Sequence, residues 1–514
     1  MSNLDVQAGW SYHNATKHSH QSVRTNPHFL DWANQPLPFK IYTRLDLIAL
    51  PREFRETGVP ALRAIAECVG RDNPLLDLQT LSQLLYFSAG VTRQRTFPGG
   101  GEIYFRAAAC TGALYAIELY LACGSLPDLE AGLYHYSPGE FGLRRLRAGD
   151  FRRVLVEATA DEFSTAHAPV IVICTGTYWR NAWKYQARTY RHFGWDNGTI
   201  LANLLAISTA LELPAKVICG FVDADVNRLL DLDTDREVAF SLVSIGRVAD
   251  LPPAPPAISP LKLETVPLSR GEVDYPAMRA MHAASSLLSP EEVAHWRGED
   301  PLRVRPKIAG ELIALTPRGD TNIPNDPIEQ VILRRGSTRR FARVPISFAQ
   351  LSTILDCSTR GVPADFLNPF GAQINDLYVI ANAVEGLRPG SYFFDQERRG
   401  LELLKEGNFR NEAGYLGLEQ ELPADASVAI FFLTNLEAVF ERFGNRGYRA
   451  VQLEAGLIGG KLYLAAYALH LGATGLTFYD DDVVNFFSPH AEENNAVFLV
   501  AVGNRTKRPY AAIR

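Results

Sequence analysis

The chain has 514 residues, of which 47% are hydrophobic and 21% are charged, and its formal net charge at pH 7 is −6. This length exceeds what one ordinary hydrophobic core accommodates, so we expect two or three globular domains. The slight acidity gives no electrostatic reason to expect nucleic acid or an anionic membrane as a partner, although a small anionic ligand remains compatible with it.

Signals for export, membrane insertion and metal binding are missing from the sequence. No apolar run of about 18 residues or more occurs, and residues 1–10 have no apolar core of the length that a signal peptide requires. We therefore expect a cytoplasmic protein. The six cysteines include no Cys-x-x-Cys pair and mostly lie in apolar segments, which favours buried free thiols over disulfides or a metal site.

The predicted elements begin with a proline-rich stretch from residue 26 to about residue 77. Its apolar content is too high for a free linker, so we expect an ordered arm that lies on a surface. The remainder of the first half alternates between the two element types. Helical spacing is predicted at 78–89 and 178–211, and strands at 119–122, 132–136, 170–174, 216–222 and 238–245.

The second half of the chain repeats the first. A shift of 258 residues aligns Tyr120 with Tyr378, and the same shift aligns Arg188 with Arg446 without a gap. We therefore predict a tandem duplication, with domains at 1–250 and 326–514 and a linker or wrapping segment at 251–325. Each unit is expected to pack a long helix on a sheet, and a fused duplicate most simply replaces a homodimer.

An arginine-rich octet follows an apolar run with helical spacing, at residues 328–333. Residues 334–341 read Arg-Arg-Gly-Ser-Thr-Arg-Arg-Phe. Four guanidinium groups beside a glycine and two hydroxyl groups suit the binding of a phosphate dianion. The residues alone also allow a solvated basic loop. Near the N-terminus, hydroxyl, imidazole and lysine side chains around His13, Thr16 and Lys17 could hold an anion or form an ordinary polar loop.

The octet resembles the Arg-Arg-Ser-x-Arg-x-Phe motif with which nitroreductase-type flavoproteins hold the phosphate of FMN. Further motifs resemble the SagB/ThcOx-type dehydrogenases, which oxidise peptide thiazolines and oxazolines with FMN. These motifs are Tyr12-His13-x-x-Thr16-Lys17, Gly112-Ala113-Leu114-Tyr115, Gly132-Leu133-Tyr134-His135-Tyr136 and Trp183-Lys184-Tyr185-x-x-Arg188. The resemblance implies an α+β fold in which two tandem nitroreductase-like sandwich domains form an intramolecular pseudo-dimer.

The resemblance also implies where FMN binds. The second unit would hold the phosphate with Arg335, Ser337, Arg339, Arg505 and Lys507, and would meet the isoalloxazine with Gln373 and the backbone at Tyr479 and Asp480. The first unit would supply Lys184 and Tyr185 as the catalytic base and proton relay, although both also fit a surface lysine and a packing aromatic. A reverse site, with His13, Thr16 and Lys17 on the phosphate, is expected to be weak or empty.

Three functions follow from this resemblance. The leading one is an FMN-dependent dehydrogenase that sends a hydride from an azoline or a related peptide-derived substrate to flavin N5. The second is a nitro or quinone reductase with NAD(P)H as a partner, and the third is a catalytically silent binding protein. The expected partners are a small molecule or peptide, and the pseudo-dimer leaves room for further homodimerisation. No Gly-rich dinucleotide fingerprint, Walker lysine or metal-ligand cluster is present.

Overall fold

The computed structural model describes residues 2–68, 70, 76–96, 101–298, 310–319 and 324–506. These residues form two units with the same topology. The strands of the first unit are β1 (Leu47–Ala49), β2 (Val91–Thr96), β3 (Glu102–Arg106), β4 (Ile117–Cys123), β5 (Gly132–Ser137), β6 (Gly142–Ala148), β7 (Val170–Thr177), β8 (Ala215–Ile218) and β9 (Glu237–Ile245). Those of the second unit are β10 (Leu312–Ala314), β11 (Ile346–Ser347), β12 (Asp376–Ala381), β13 (Val384–Glu385), β14 (Gly390–Asp395), β15 (Gly400–Glu406), β16 (Val428–Thr434), β17 (Gly472–Leu476) and β18 (Asn495–Gly503).

The α-helices follow the same duplication. The first unit contains α1 (Gln7–Ala15), α2 (His20–Thr25), α3 (Ala61–Ala66), α4 (Leu78–Ala89), α5 (Arg152–Ala158), α6 (Phe163–Ala166), α7 (Tyr178–Tyr185), α8 (Thr189–Ala210) and α9 (Asp223–Leu230). Next come α10 (Pro276–Ala284), α11 (Pro290–Arg297), α12 (Ile328–Arg334), α13 (Phe348–Thr359), α14 (Arg410–Leu416), α15 (Glu421–Asp425), α16 (Leu436–Phe443), α17 (Arg446–Ala468) and α18 (Asp480–Phe487). None of the described helices is both long and apolar enough to cross a membrane.

Each unit is built on a seven-stranded antiparallel sheet. The strand order is β1-β6-β5-β4-β7-β9-β8 in the first and β10-β15-β14-β12-β16-β18-β17 in the second, which are equivalent orders. Tyr120 pairs with His135 in one sheet and Tyr378 with Phe393 in the other, so the 258-residue repeat holds in strand register. The duplicated α+β architecture predicted from the sequence is therefore confirmed.

Helices α8 and α17 pack against each other where the two units meet. Every residue of both helices is buried, which is expected of helices surrounded by protein rather than facing solvent. Their backbones touch, because a Cβ atom at Gly198 would lie 2.4 Å from the backbone nitrogen of Leu457. Glycine at this position, like its repeat partner Gly456, permits the close crossing.

Buried ion pairs are exchanged between the units. Asp480 at the start of α18 accepts from Arg188 (3.0 Å) and Arg191 (2.7 Å) of the first unit. Asp223 at the start of α9 accepts from Arg446 and Arg449 of the second unit, at 2.6 and 2.7 Å. Since these aspartates lie 257 residues apart, the ungapped repeat, which aligned Asp223 with Asp481, is off by one residue here.

The arm and the linker are both structured parts of the units. The arm contributes β1 to the first sheet, and β10, which falls inside the segment predicted as a linker, pairs with β15 of the second sheet. The second sheet therefore begins before the predicted domain boundary at residue 326. Arm and linker also pair with each other, since the backbone of Val266 donates to Ile41 at 2.9 Å.

Candidate active site

A cleft of about 390 Å³ lies between the two units and falls in the size range of small-molecule and cofactor sites. It brings together four of the residues predicted from the sequence: Lys184 and Tyr185 from the first unit and Ser337 and Arg339 from the second. The other lining residues are Ala109, Cys110, Thr111, Gly112, Ala113, His192, Trp195, Asp196, Thr199, Gln420, Tyr463, Thr474, Gly475, Leu476, Thr477 and Phe498.

Two cations face this cleft without a carboxylate partner among the described residues. Arg339 is exposed and makes no hydrogen bond or ion pair there, and the same holds for Lys184, whose Nζ lies 5.3 Å from the centre of the Tyr185 ring. Partial burial and, secondarily, the charge of Arg339 lower the pKa of Lys184. A lowered pKa makes the neutral amine more accessible, as a general base requires.

The end of α7 sets the direction of the Lys184 and Tyr185 side chains. After Tyr185 the chain turns through Gln186, whose φ of 50° is left-handed, and then enters α8. The Tyr185 ring packs edge-on against His192, with 4.5 Å between centroids. Burial, followed by the nearby Asp196 and Cys110, raises the pKa of Tyr185, so its hydroxyl stays protonated and can donate a hydrogen bond.

A strained loop forms one wall of the cleft. Gly112, Ala113 and Tyr115 all have φ between 53° and 62°, a region that side-chain-bearing residues rarely adopt. Asp196 of α8 holds the loop by accepting from the backbone nitrogen and the hydroxyl of Thr111, both at 2.7 Å. A Cβ atom at Gly112 would lie 3.0 Å from the Tyr185 hydroxyl oxygen, so this glycine gives the tyrosine its space.

Asp196 is the one acidic residue among the described residues that line the cleft. It is 3% exposed, and it also accepts from the Cys110 thiol at 3.2 Å. Burial raises the pKa of Asp196 to about 6 despite these hydrogen bonds. No sequence pattern predicts this role, because a single aspartate within a long helix has no feature that distinguishes it from any other.

The opposite wall is formed by residues 474–477 and Tyr463. The Tyr463 hydroxyl accepts from the backbone nitrogen of Gly475 and lies 3.4 Å from the Ser337 hydroxyl. Two buried polar atoms of lining residues have no partner among the described residues, namely Thr477 Oγ1 and His192 Nε2. Because buried polar groups are normally hydrogen-bonded, these atoms indicate a cleft built for a polar ligand.

Two further predicted phosphate ligands lie beside the cleft rather than in its lining. Arg335 donates from Nε to the Ala107 carbonyl (2.9 Å) and from Nη2 to the Arg106 carbonyl (3.1 Å), so it ties the octet to the first unit. Arg505 stacks on the Tyr467 ring at 4.9 Å. Lys507 lies outside the described residues.

The residues predicted to meet the isoalloxazine lie elsewhere. Gln373 donates to the Thr359 carbonyl at 3.4 Å and does not line the cleft. The Asp480 carboxylate forms ion pairs with Arg188 and Arg191, and the Tyr479 ring packs on Tyr415. The cleft is lined instead by residues 474–477, because β17 runs to Leu476 before α18 begins.

The N-terminal residues of the reverse site, which is expected to be weak or empty, have partners within the protein. His13 is buried, and burial lowers its pKa, so it is a neutral partner of the Tyr448 hydroxyl at 3.2 Å. Thr16 accepts from Arg191 at 3.0 Å, and Lys17 pairs with Asp481 at 2.7 Å. These contacts fix α1 across the units and engage all three side chains with protein partners.

The true counterpart of the octet follows α3. Pro60 and Pro327 form a bridge in which each segment donates one backbone hydrogen bond to the other, and Cys68 then occupies the place of Arg335. A second cleft of about 560 Å³ lies there. Its lining includes Glu67 and Cys68 where the octet has arginines, although Arg247, the repeat partner of Arg505, is also present.

Part of the sequence and the overall fold resemble those of known proteins. Residues 332–504 match the model of the nitroreductase family. A protein of Methanocaldococcus jannaschii provisionally named a nitroreductase is 26% identical over 172 residues, which are 34% of this chain and 81% of the relative.

Two crystal structures of proteins with the same provisional name are also similar. That from Anabaena variabilis ATCC 29413 is 25% identical with a TM-score of 0.78, and the match covers 97% of this chain and 99% of that one. That from Ralstonia eutropha JMP134 is 23% identical with a TM-score of 0.32, over 42% of this chain and 100% of that one. The Anabaena variabilis match spans both units, which therefore have a nitroreductase-like fold, and together with the family match over residues 332–504 it supports a nitroreductase-superfamily oxidoreductase.

Proposed function

We propose that this chain, which carries a nitroreductase-family domain over residues 332–504, is an FMN-dependent oxidoreductase whose flavin binds in the cleft between the two units. The observation that carries the proposal is the meeting of Lys184 and Arg339 on one cleft without a carboxylate partner among the described residues. Two cations held together repel each other, and an anionic cofactor removes that cost.

The residues present fit FMN. Arg339 and the Ser337 hydroxyl would hold the phosphate, since guanidinium and hydroxyl donors match its oxygens. The unpartnered Thr477 Oγ1 and the backbone of residues 474–477 would contact the ring from one side, and the Thr111–Ala113 loop from the other. When bound, FMN supplies the two-electron acceptor that no side chain of this cleft provides.

We infer further that the substrate is an azoline or a related peptide-derived ring, as in the SagB/ThcOx-type dehydrogenases. Oxidation of such a ring requires loss of a proton beside the carbon that gives up the hydride. Lys184 is suited to accept that proton because its pKa is lowered, and Tyr185, whose hydroxyl stays protonated, is suited to relay it through a hydrogen bond. The repeat partners of this pair are Arg442 and Phe443, and neither a lysine nor a tyrosine is among the described residues that line the second cleft.

The test of cofactor binding is the visible spectrum of the purified protein with the released flavin quantified per chain. We expect about one FMN per chain, because only one cleft has the octet. The double variant Ser337→Ala, Arg339→Ala should lose the bound flavin. The single variant Arg340→Ala should retain it, because Arg340 is a neighbouring arginine that does not line the cleft. A colourless wild type that takes up no added FMN would refute the proposal and leave the silent binding protein.

A second candidate function is NAD(P)H-dependent reduction of nitro compounds or quinones. It is favoured by the provisional names of the similar proteins from Anabaena variabilis and Methanocaldococcus jannaschii. The two functions differ in what reduces the bound flavin under anaerobic conditions. Rapid bleaching by NADPH that survives Lys184→Gln would favour the reductase, and bleaching by a peptide azoline that Lys184→Gln abolishes would favour the dehydrogenase.

A further inference from the structure

A separate cavity of about 290 Å³ lies within the first unit and shares no lining residue with the active-site cleft. Its floor lies where β7 ends at Thr177 and β9 begins at Glu237. The arm and the linker form its roof, where Tyr42 bridges to Thr265. The cavity is therefore enclosed by segments that are distant in sequence.

The carboxylates in and beneath this cavity have their own partners. Glu237 accepts from Lys40 Nζ (2.6 Å), the Tyr120 hydroxyl (2.9 Å) and the Thr175 hydroxyl (2.6 Å). Glu118 accepts from Arg180 Nη1 at 2.6 Å and is joined to His135 Nε2 at 3.0 Å. Of the other lining acids, Asp231 accepts from the backbone of residues 261 and 262 and Asp233 from that of residue 235.

Two polar groups of the lining are buried and unpartnered among the described residues. Arg180 is 0% exposed and uses Nη1 for Glu118 and for the Tyr115 carbonyl at 2.7 Å, while its Nε and Nη2 have no acceptor. Thr177 Oγ1 also has no partner. Nε and Nη2 form one edge of the guanidinium plane, and that edge donates two parallel hydrogen bonds to a carboxylate.

The second unit shows that the fold does not require this cluster. At the 258-residue repeat distance, Arg180 is replaced by Ala438, His135 by Phe393 and Glu237 by Asn495. The same sheet topology forms around these neutral residues. Burying a guanidinium with an unsatisfied edge is costly, so its presence in one unit alone indicates a ligand.

We propose that this cavity binds a small organic carboxylate, whose two oxygens accept from Arg180 Nε and Nη2 and one of which also accepts from the Thr177 hydroxyl. The apolar part of the ligand packs on Leu230, Leu263 and Leu268, which line the same cavity. Lys40 and Arg180 are already paired with Glu237 and Glu118, so the site offers the carboxylate free hydrogen-bond donors rather than net positive charge. This inference is independent of the flavin proposal, because the two sites share no residue.

The test is isothermal titration of the flavin-loaded or flavin-free protein with benzoate, with benzamide as the neutral isostere. We expect one benzoate per chain and no binding of benzamide. Thr177→Val, which keeps the side-chain shape, and Arg180→Lys, which keeps the charge but loses the fork, should each weaken binding by roughly tenfold or more. Arg339→Ala, in the other cleft, serves as the control for benzoate binding at the flavin site and should leave the affinity unchanged.

Each other result overturns the assignment. Absence of benzoate binding to the wild type means that water satisfies Arg180. Binding of inorganic phosphate without binding of benzoate means that the site selects a different anion. Unchanged affinity in Thr177→Val, with loss in Arg339→Ala, places the bound benzoate in the active-site cleft.

Discussion

Replacing Asp196 by asparagine tests whether burial of the charged Asp196 carboxylate in the active-site cleft lowers the free energy of unfolding. Burial raises the pKa of Asp196 from 3.8 to about 6, which corresponds to about 3 kcal/mol against the charged form. The folded chain therefore binds this proton more tightly than the unfolded chain does. The resulting stabilisation is complete below about pH 4 and is lost as the pH rises through about 6.

Asparagine cannot titrate, so the comparison of the two proteins across pH isolates this effect. We expect the free energy of unfolding of Asp196→Asn, relative to wild type, to rise by up to about 3 kcal/mol between about pH 4 and about pH 8. The hydrogen bonds lost to Thr111 shift the whole curve but do not depend on pH. Urea unfolding of the flavin-free protein at a series of pH values measures the difference.

The second unit provides a matched control. Glu454 stands 258 residues after Asp196, accepts from the backbone nitrogens of Ile374 and Asn375, and has a pKa raised by burial to about 7. Glu454→Gln should show the same direction of pH dependence without loss of flavin, because Glu454 does not line the cleft. A difference between Asp196→Asn and wild type that stays constant with pH would refute the reasoning.

Two further predictions concern the helix crossing and the base. Gly198→Ala should lower the free energy of unfolding by several kcal/mol, and the melting temperature with it, because the added Cβ atom would meet the Leu457 nitrogen at 2.4 Å. Gly271→Ala should not lower the melting temperature, because nothing lies within 4 Å of its added Cβ atom. Equal melting temperatures for the two variants would contradict the close crossing of α8 and α17. Lys184→Arg should lower kcat/KM for a peptide azoline by about 10²–10⁴ and flatten its rise with pH. That rise should occur below the ordinary lysine range because the pKa of Lys184 is lowered, and an unchanged profile would exclude Lys184 as the base.

The duplication and half of the active site could be predicted from sequence because their signals are local. Strand register repeats at 258 residues, and the Trp183-Lys184-Tyr185 and arginine-rich motifs each lie within one short segment. The predicted composite of Lys184 with Arg339 also corresponds to the geometry, since both line one cleft. Their roles in catalysis and phosphate binding stay predictions.

The differences from the expected positions come from contacts between distant segments. His13 and Lys17 were expected on the phosphate of a weak reverse site, whereas the backbone bridge between Pro60 and Pro327 sets the end of α3 opposite the octet. The repeat is offset by one residue at α18, so the 258-residue alignment did not indicate that Asp480 forms an ion pair with Arg188. The expected roles of Asp196 and Arg180 depend on partners that only the fold brings near them, so no sequence pattern predicted either residue as part of a site.

Because each cleft takes one wall from each unit, joining the units in a single chain changes what a substitution can do. In a dimer of identical subunits, replacing the arginines of the octet would disable both clefts at once. Here the segment after α3 carries Glu67 and Cys68 while the segment after α12 keeps its arginines, and α16 ends in Arg442 and Phe443 while α7 ends in Lys184 and Tyr185. Covalent fusion therefore allows the residues of one cleft to change independently of those of the other. The buried helices α8 and α17, which both units share, support both clefts.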